Sequence, residues 1–185
     1  VGGWQAAVGP APSLAAGEWT ATSTASPADA VPPTTVDTIG DAAQRLIIPS
    51  LSVDAELLPG AIRDRQLVLP SDPSLLTLSS AGADPCTGDS GTVLVSGHVA
   101  SHGVRGALWP LSTTRPGAVA TITCPGSQPS VWRAVKAWES EKSSLDQTVF
   151  DAGGERRLVV ITCGGPVMSN GHYRDNVLVE FEPVN

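Results

Sequence analysis

The sequence predicts an all-β domain, an antiparallel barrel or sandwich with short helical turns, carried on a linker of about forty residues. Three observations predict it. Glycine (19) and proline (16) are abundant among 185 residues while only 16% are charged, which suits many short strands and turns better than long charged helices. From Arg45 onward, seven β-rich runs alternate with turn residues, and no convincing amphipathic helix follows any of them. Of residues 1–40, twenty-eight are Ala, Gly, Pro, Ser or Thr, and no apolar periodicity is sustained there.

The linker is assigned to residues 1–44 and the folded domain to 45–185. Trp4 and Trp19 are out of character for a free spacer, so part of the tail is expected to pack, against the domain's own cleft or on plain surface. The runs are Arg45–Ile48, Gln66–Leu69, Gly91–Val95, Ala118–Thr123, Ser130–Ala137, Leu158–Ile161 and Asn176–Phe181. Pro49, Pro59, Pro70, Pro110, Pro116, Pro125 and Pro166 fall at strand ends, where a missing N–H does not harm a ladder. Leu75–Leu78 and Leu108–Leu111 each read as a helical turn, and Ser143–Phe150 as a connecting loop.

Charge and motif content exclude several functions. Eleven Lys and Arg against eighteen Asp and Glu leave a net charge of -7, so a nucleic-acid backbone would be repelled. No apolar run approaches the roughly 18 residues of a membrane span, and no Lys or Arg precedes Arg45 to form the basic start of a signal peptide. Cys86, Cys124 and Cys163 form no CxxC, and His98, His102 and His172 form no HxxxH pair, so no zinc site is expected. Asp84 and Asp89 are too few for a calcium loop, and nothing points to an organic cofactor.

Reactive chemistry gathers at strand ends. In the run from Leu158, Cys163 shares a face with Val159 and Ile161 and stands where apolar residues give way to Gly164 and Gly165. His98 occupies the same kind of position after Leu94 and Ser96. A thiol and an imidazole meeting at one rim make a cysteine nucleophilic, and Arg174, at the start of the next strand, is placed to return beside Cys163 through a hairpin. Taken singly, Cys163 fits a small core residue, His98 a turn residue, and Arg174 beside Asp175 a surface pair of little energetic weight. The three together favour a Cys-His-Arg site, with His102 and His172 as competing bases.

Three separated segments, Gly97-His98-Val99, Thr162-Cys163-Gly164-Gly165 and Tyr173-Arg174-Asp175-Asn176, agree in order and spacing with the sortases. Among these, the chain most resembles the actinobacterial class F group, from about Arg45 to the C-terminus. The resemblance implies an eight-stranded closed β-barrel and a cysteine transpeptidase on the outer face of a Gram-positive membrane. It also implies an N-terminal membrane helix ahead of the linker. Cys163 would attack the threonine carbonyl of an LPxTG-like sorting signal carried at the C-terminus of a surface protein. His98 would exchange protons with the leaving and incoming amines, and Arg174 would stabilise the oxyanion. Thr162, Gly164 and Tyr173 would line the substrate. The acyl group would pass to an amine acceptor of peptidoglycan or its precursor, by a monomer that needs no cofactor or metal.

The chain also departs from the family pattern. Ala100 follows Gly97-His98-Val99 where an acidic residue is common, and Pro166-Val167-Met168-Ser169 replaces an aromatic-acidic pair. Leu75–Ser80 lacks the aromatics usual before the histidine strand. These changes bear on substrate preference, since Cys163, His98 and Arg174 are intact. If Cys163 stays a free thiolate on an oxidising surface, Cys86 and Cys124 are left to pair; the alternative is two unpaired thiols. Two other functions fit the same residues: a cysteine hydrolase of this fold, or a catalytically silent surface-binding barrel.

Overall fold

The computed structural model describes residues 13–21, 43–63, 66–144, 146–151 and 153–184. Its strands are β1 (Trp19–Thr20), β2 (Arg45–Ile48), β3 (Val53–Gly60), β4 (Ile62–Arg63), β5 (Gln66–Leu67), β6 (Leu76–Ser79), β7 (Thr92–Gly97), β8 (Ala100–Ser101), β9 (Val104–Arg105), β10 (Val119–Ile122), β11 (Ser130–Glu141), β12 (Arg157–Val167) and β13 (Tyr173–Pro183). Hydrogen bonds run β11–β10–β2–β3–β6–β7–β12–β13 and return from β13 to β11. Eight strands therefore close into a barrel, which leaves no long unpaired edge. β1 adds outside this ring on β11, while β4–β5 and β8–β9 form small ribbons. Among the described residues, no helix is long and apolar enough to cross a membrane.

Not every pairing is antiparallel. β3 pairs with β6, and β7 with β12, in parallel. The second pair follows from burial on both faces. All six residues of β7 are buried, and so are Leu158 to Thr162 of β12. One face of each strand joins the main core with Val93, Val95, Leu158 and Val160. The other face carries Leu94, Val159 and Ile161 with Leu178 of β13, covered by Val149 and Phe150 of the 3₁₀ turn Gln147–Phe150. Each such side chain contributes roughly 1.5–3 kcal/mol when fully buried. Asp146 caps the turn by accepting the Thr148 N–H at 2.9 Å.

Two elements differ from the sequence expectation. Leu75–Leu78 was assigned a helical turn, but Leu76–Ser79 forms β6 between β3 and β7. Leu76-Thr77-Leu78-Ser79 does alternate in sequence, but the run is short, and Thr77 and Ser79 are buried along with Leu76. β3 was absent from the expected runs because Asp54, Glu56 and Pro59 interrupt its apolar residues. Val53, Ala55 and Leu57 nevertheless alternate inward in register. Of the run Gln66–Leu69, only Gln66 and Leu67 form a strand, and it lies in a ribbon outside the barrel.

The tail also joins the fold in part. Trp19 pairs with Ala137 of β11 and packs on the main core. The Leu14 N–H donates to Glu139 Oε1 at 2.8 Å, and Ala15 N to Ser112 O at 3.1 Å. Trp4 lies outside the described residues.

The barrel end opposite the glycines is held by three devices. Cys86 and Cys124 are bonded, tying the loop before β7 to the end of β10 across 38 residues. Arg156 donates to the Pro85 carbonyl at 2.8 Å and stacks over Trp132. Arg157 reaches Thr92 Oγ1 of β7 at 2.9 Å and Glu180 of β13 at 3.3 Å, joining the three strands that carry Cys163, His98 and Arg174. Under denaturing, non-reducing conditions the chain is expected to show one titratable thiol, and Cys86→Ser with Cys124→Ser to lower unfolding stability by about 3–4 kcal/mol. Three titratable thiols would contradict the bond.

Candidate active site

The register of β7 and β12 assembles the site. In the parallel ladder Val159 faces Leu94, Ile161 faces Ser96 and Thr162 faces Gly97. Cys163 follows Thr162 within β12, and His98 follows Gly97, the last residue of β7. Neighbouring strands lie about 4.8 Å apart, and residues level in a parallel ladder project to the same face. On the other side of β12, Cys163 is level with Asn176 of β13, and Arg174 lies two residues beyond on that same face. Histidine, cysteine and arginine thus extend three adjacent columns beyond the outer apolar cluster.

Each side chain has a distinct setting. Cys163 is a free, half-buried thiol that packs, as Trp109 does, against the cluster of Val99 and Tyr173. Arg105 stacks over the Trp109 ring with its guanidinium carbon 4.6 Å from the centroid. His98 is half-buried, and its Nε2 lies 2.9 Å from the Pro70 carbonyl. A carbonyl only accepts, so Nε2 carries the hydrogen and Nδ1 remains to exchange a proton. Gly106 allows the following ribbon to fold back beneath the histidine, because a Cβ there would meet the His98 carbonyl carbon at 2.7 Å. His102 and His172, the competing bases, are exposed in the β8–β9 and β12–β13 turns and are not level with Cys163 in the ladder.

Arg174 is bound to its own neighbour. Nε donates to Asp175 Oδ1 at 2.8 Å and Nη2 to Oδ2 at 2.9 Å. The arginine side chain is 52% exposed and the aspartate 4%. The pair joins an exposed guanidinium to a buried carboxylate. The hydrogen bond from Arg174 holds the Asp175 carboxyl below the usual carboxylate range despite burial, and the same bond strengthens the arginine's hold on its proton.

The remaining expected site residues are mostly enclosed. Thr162 is buried and its hydroxyl donates to the Gly97 carbonyl at 2.8 Å, joining β12 to β7 just below Cys163 and His98. Gly164 lies level with Asp175, where a Cβ would press on Val177. Tyr173 is buried, with no hydrogen-bond partner for its hydroxyl among the described residues. Sequence reasoning gave no role to the Pro70 carbonyl, Trp109, Val99 or Asp175, although Val99 and Asp175 lay inside recognised segments. Among the described residues, no group of three or more His, Cys, Asp or Glu could hold a metal ion.

A family model for the Sortase domain matches residues 46–184. The chain belongs to the sortase family. Its barrel is similar to those of solved sortases. Sortase C2 of Group B Streptococcus pilus island 1 is 18% identical, with a TM-score of 0.59 over 77% of this chain and 73% of that one. Sortase C-1 of Actinomyces oris is 19% identical, with a TM-score of 0.59 and the same two coverages. A sortase D5 transpeptidase of Clostridium perfringens is 16% identical, with a TM-score of 0.57 over 80% and 82%. At these identities the likeness shows the fold. A comparison with curated proteins finds no match.

The enclosure of Tyr173 in this sortase is directly measurable. Burial, and then the nearby Cys163 thiolate, push its phenol upward. It is the chain's single tyrosine, so absorbance at 295 nm reports it alone. The phenolate midpoint is expected above the ordinary value of about 10. Cys163→Ala should lower it while leaving it above that value; a wild-type midpoint at or below 10 would contradict the packing.

Proposed function

We propose that this sortase is a cysteine transpeptidase of class F-like type, cleaving an LPxTG-like sorting signal and transferring it to a cell-wall amine. The observation that supports the reading is the parallel register whose last pair, Thr162 and Gly97, directly precedes Cys163 and His98 at the glycine-rich rim, with Arg174 on the adjoining strand. The Cys163 thiolate adds to the carbonyl carbon of the Thr–Gly bond, and the oxyanion forms within reach of the Arg174 guanidinium. His98, as imidazolium, gives its proton to the glycine nitrogen as the C–N bond breaks and a thioester remains. An incoming amine loses a proton to His98, attacks the thioester and releases the thiolate. The buried Thr162 and Tyr173 hold the walls, and Gly164 lets the strands close beside the substrate. The Cys86–Cys124 bond suits an oxidising location, which supports the outer cell surface. Substrates would be surface proteins bearing the signal, and acceptors amines of peptidoglycan or its precursor.

The test is mass spectrometry of the protein with LPxTG-type peptides, with and without triglycine or a diaminopimelate-containing amine. A thioester on Cys163 is expected, resolving to a ligated peptide when amine is present. Cys163→Ala should abolish both. His98→Ala should slow turnover by about 10²–10⁴-fold, and Arg174→Ala by about 10²–10³-fold. Equal turnover without amine would identify a hydrolase, and absence of any adduct across a peptide library would overturn the enzyme reading.

A further inference from the structure

Within the transpeptidase reading, on which this inference rests, Arg174 has a difficulty. Its guanidinium is attached to β13, the strand between β12 with Cys163 and β11 with Glu139 and Glu141. Glu141 is level with Asp175, and Glu139 with Val177. Both glutamates act electrostatically on the guanidinium. A half-exposed arginine on a flexible stem would be drawn toward β11, away from the thiol.

We propose that Asp175 is the positioning residue of Arg174, tying the guanidinium laterally toward β12, where Gly165 adjoins the carboxylate, against the pull of Glu139 and Glu141 on β11. Asp175 takes the Nε–Nη2 edge of the arginine through both carboxylate oxygens. Two of the five N–H donors are thereby fixed, and the three others remain for a developing oxyanion. The carboxylate is itself seated by β12. Gly165, two residues after Cys163, has a φ of 72° and lies so close that a Cβ there would overlap Asp175 Oδ2. β12 carries an extra residue in this stretch, between the pairs Gly164–Asp175 and Val167–Tyr173. The bulge makes room for the carboxylate beside the nucleophile's strand, and the carboxylate brings the arginine there. Asp175 touches no substrate; it acts through Arg174. The glycine pair after the cysteine and the aspartate after the arginine thus form one mechanical unit.

Three measurements test the proposal. In the wild-type protein, the Arg174 Nε–H signal, assigned by its loss in Arg174→Lys, should exchange with solvent more slowly than those of other exposed arginines. A rate equal to theirs would overturn the pairing whether or not the chain transfers peptides. In peptide turnover, Asp175→Asn should lower kcat about ten- to a hundredfold with little change in KM, as expected for a misplaced catalytic group. In an Arg174→Ala background the same substitution should change kcat less than twofold. Adding Glu139→Gln and Glu141→Gln to Asp175→Asn should recover part of the lost rate. An equal loss with and without Arg174, or no recovery when the glutamates are removed, would make Asp175 merely structural and sink the proposal. If the wild type forms no thioester with any peptide, the transpeptidase reading fails instead, and the exchange measurement alone decides the pairing.

Discussion

His98 and Cys163 reach the same rim because β7 and β12 run in the same direction. Each residue ends an apolar strand. Had the two strands paired antiparallel, their ends would lie at opposite ends of a six-residue ladder, about 20 Å apart. The parallel pairing requires a long crossover. The chain between β7 and β12 supplies it by passing through β10 and β11, which then close the barrel against β13. The topology that closes the barrel is therefore also the one that brings imidazole and thiol level.

Stability and openness are divided between the two ends of those strands. At one end, the Cys86–Cys124 bond, Arg156 and Arg157 fix the starts of β7 and β12 to β10 and β13. Along the middle, both faces are buried, so register slippage would expose apolar residues on either side. At the other end, glycines replace bulky side chains, and exposed apolar residues appear in the neighbouring ribbon and hairpin, among them Val104, Val167 and Met168. A ladder set at its base delivers a defined geometry at a rim that remains accessible.

Much of this was legible in the sequence, for identifiable reasons. Cys163, His98 and Arg174 were located by period-two alternation and by the change from apolar residues to glycine, both local signals. β10, β11 and β13 were found because their β-branched and aromatic runs are bounded by turn residues. The parallel pairing also had a signal that the antiparallel expectation passed over. Continuous apolar runs such as Thr92 to Val95 and Leu158 to Ile161 mark strands covered on both faces, as parallel strands usually are. β3 and β6 were passed over, β3 because carboxylates and Pro59 break up its apolar residues and β6 because its alternating run is short. Asp175 read as half of a surface pair because its burial depends on a bulge in a different strand. Nor could any local pattern reveal that Pro70, twenty-eight residues from His98, accepts its ring hydrogen.

The central claim is that the parallel register sets positions 98 and 163 side by side, and an engineered cross-link tests it most directly. Level positions on adjacent strands fall within the Cα separation a disulfide accepts, about 4.4–6.8 Å. Mild oxidation of the His98→Cys variant, followed by non-reducing peptide mapping, should yield a bridge between position 98 and Cys163 while Cys86–Cys124 stays intact. Recovery of both positions as free thiols after oxidation would contradict the register, and with it the account of how imidazole and thiol come together.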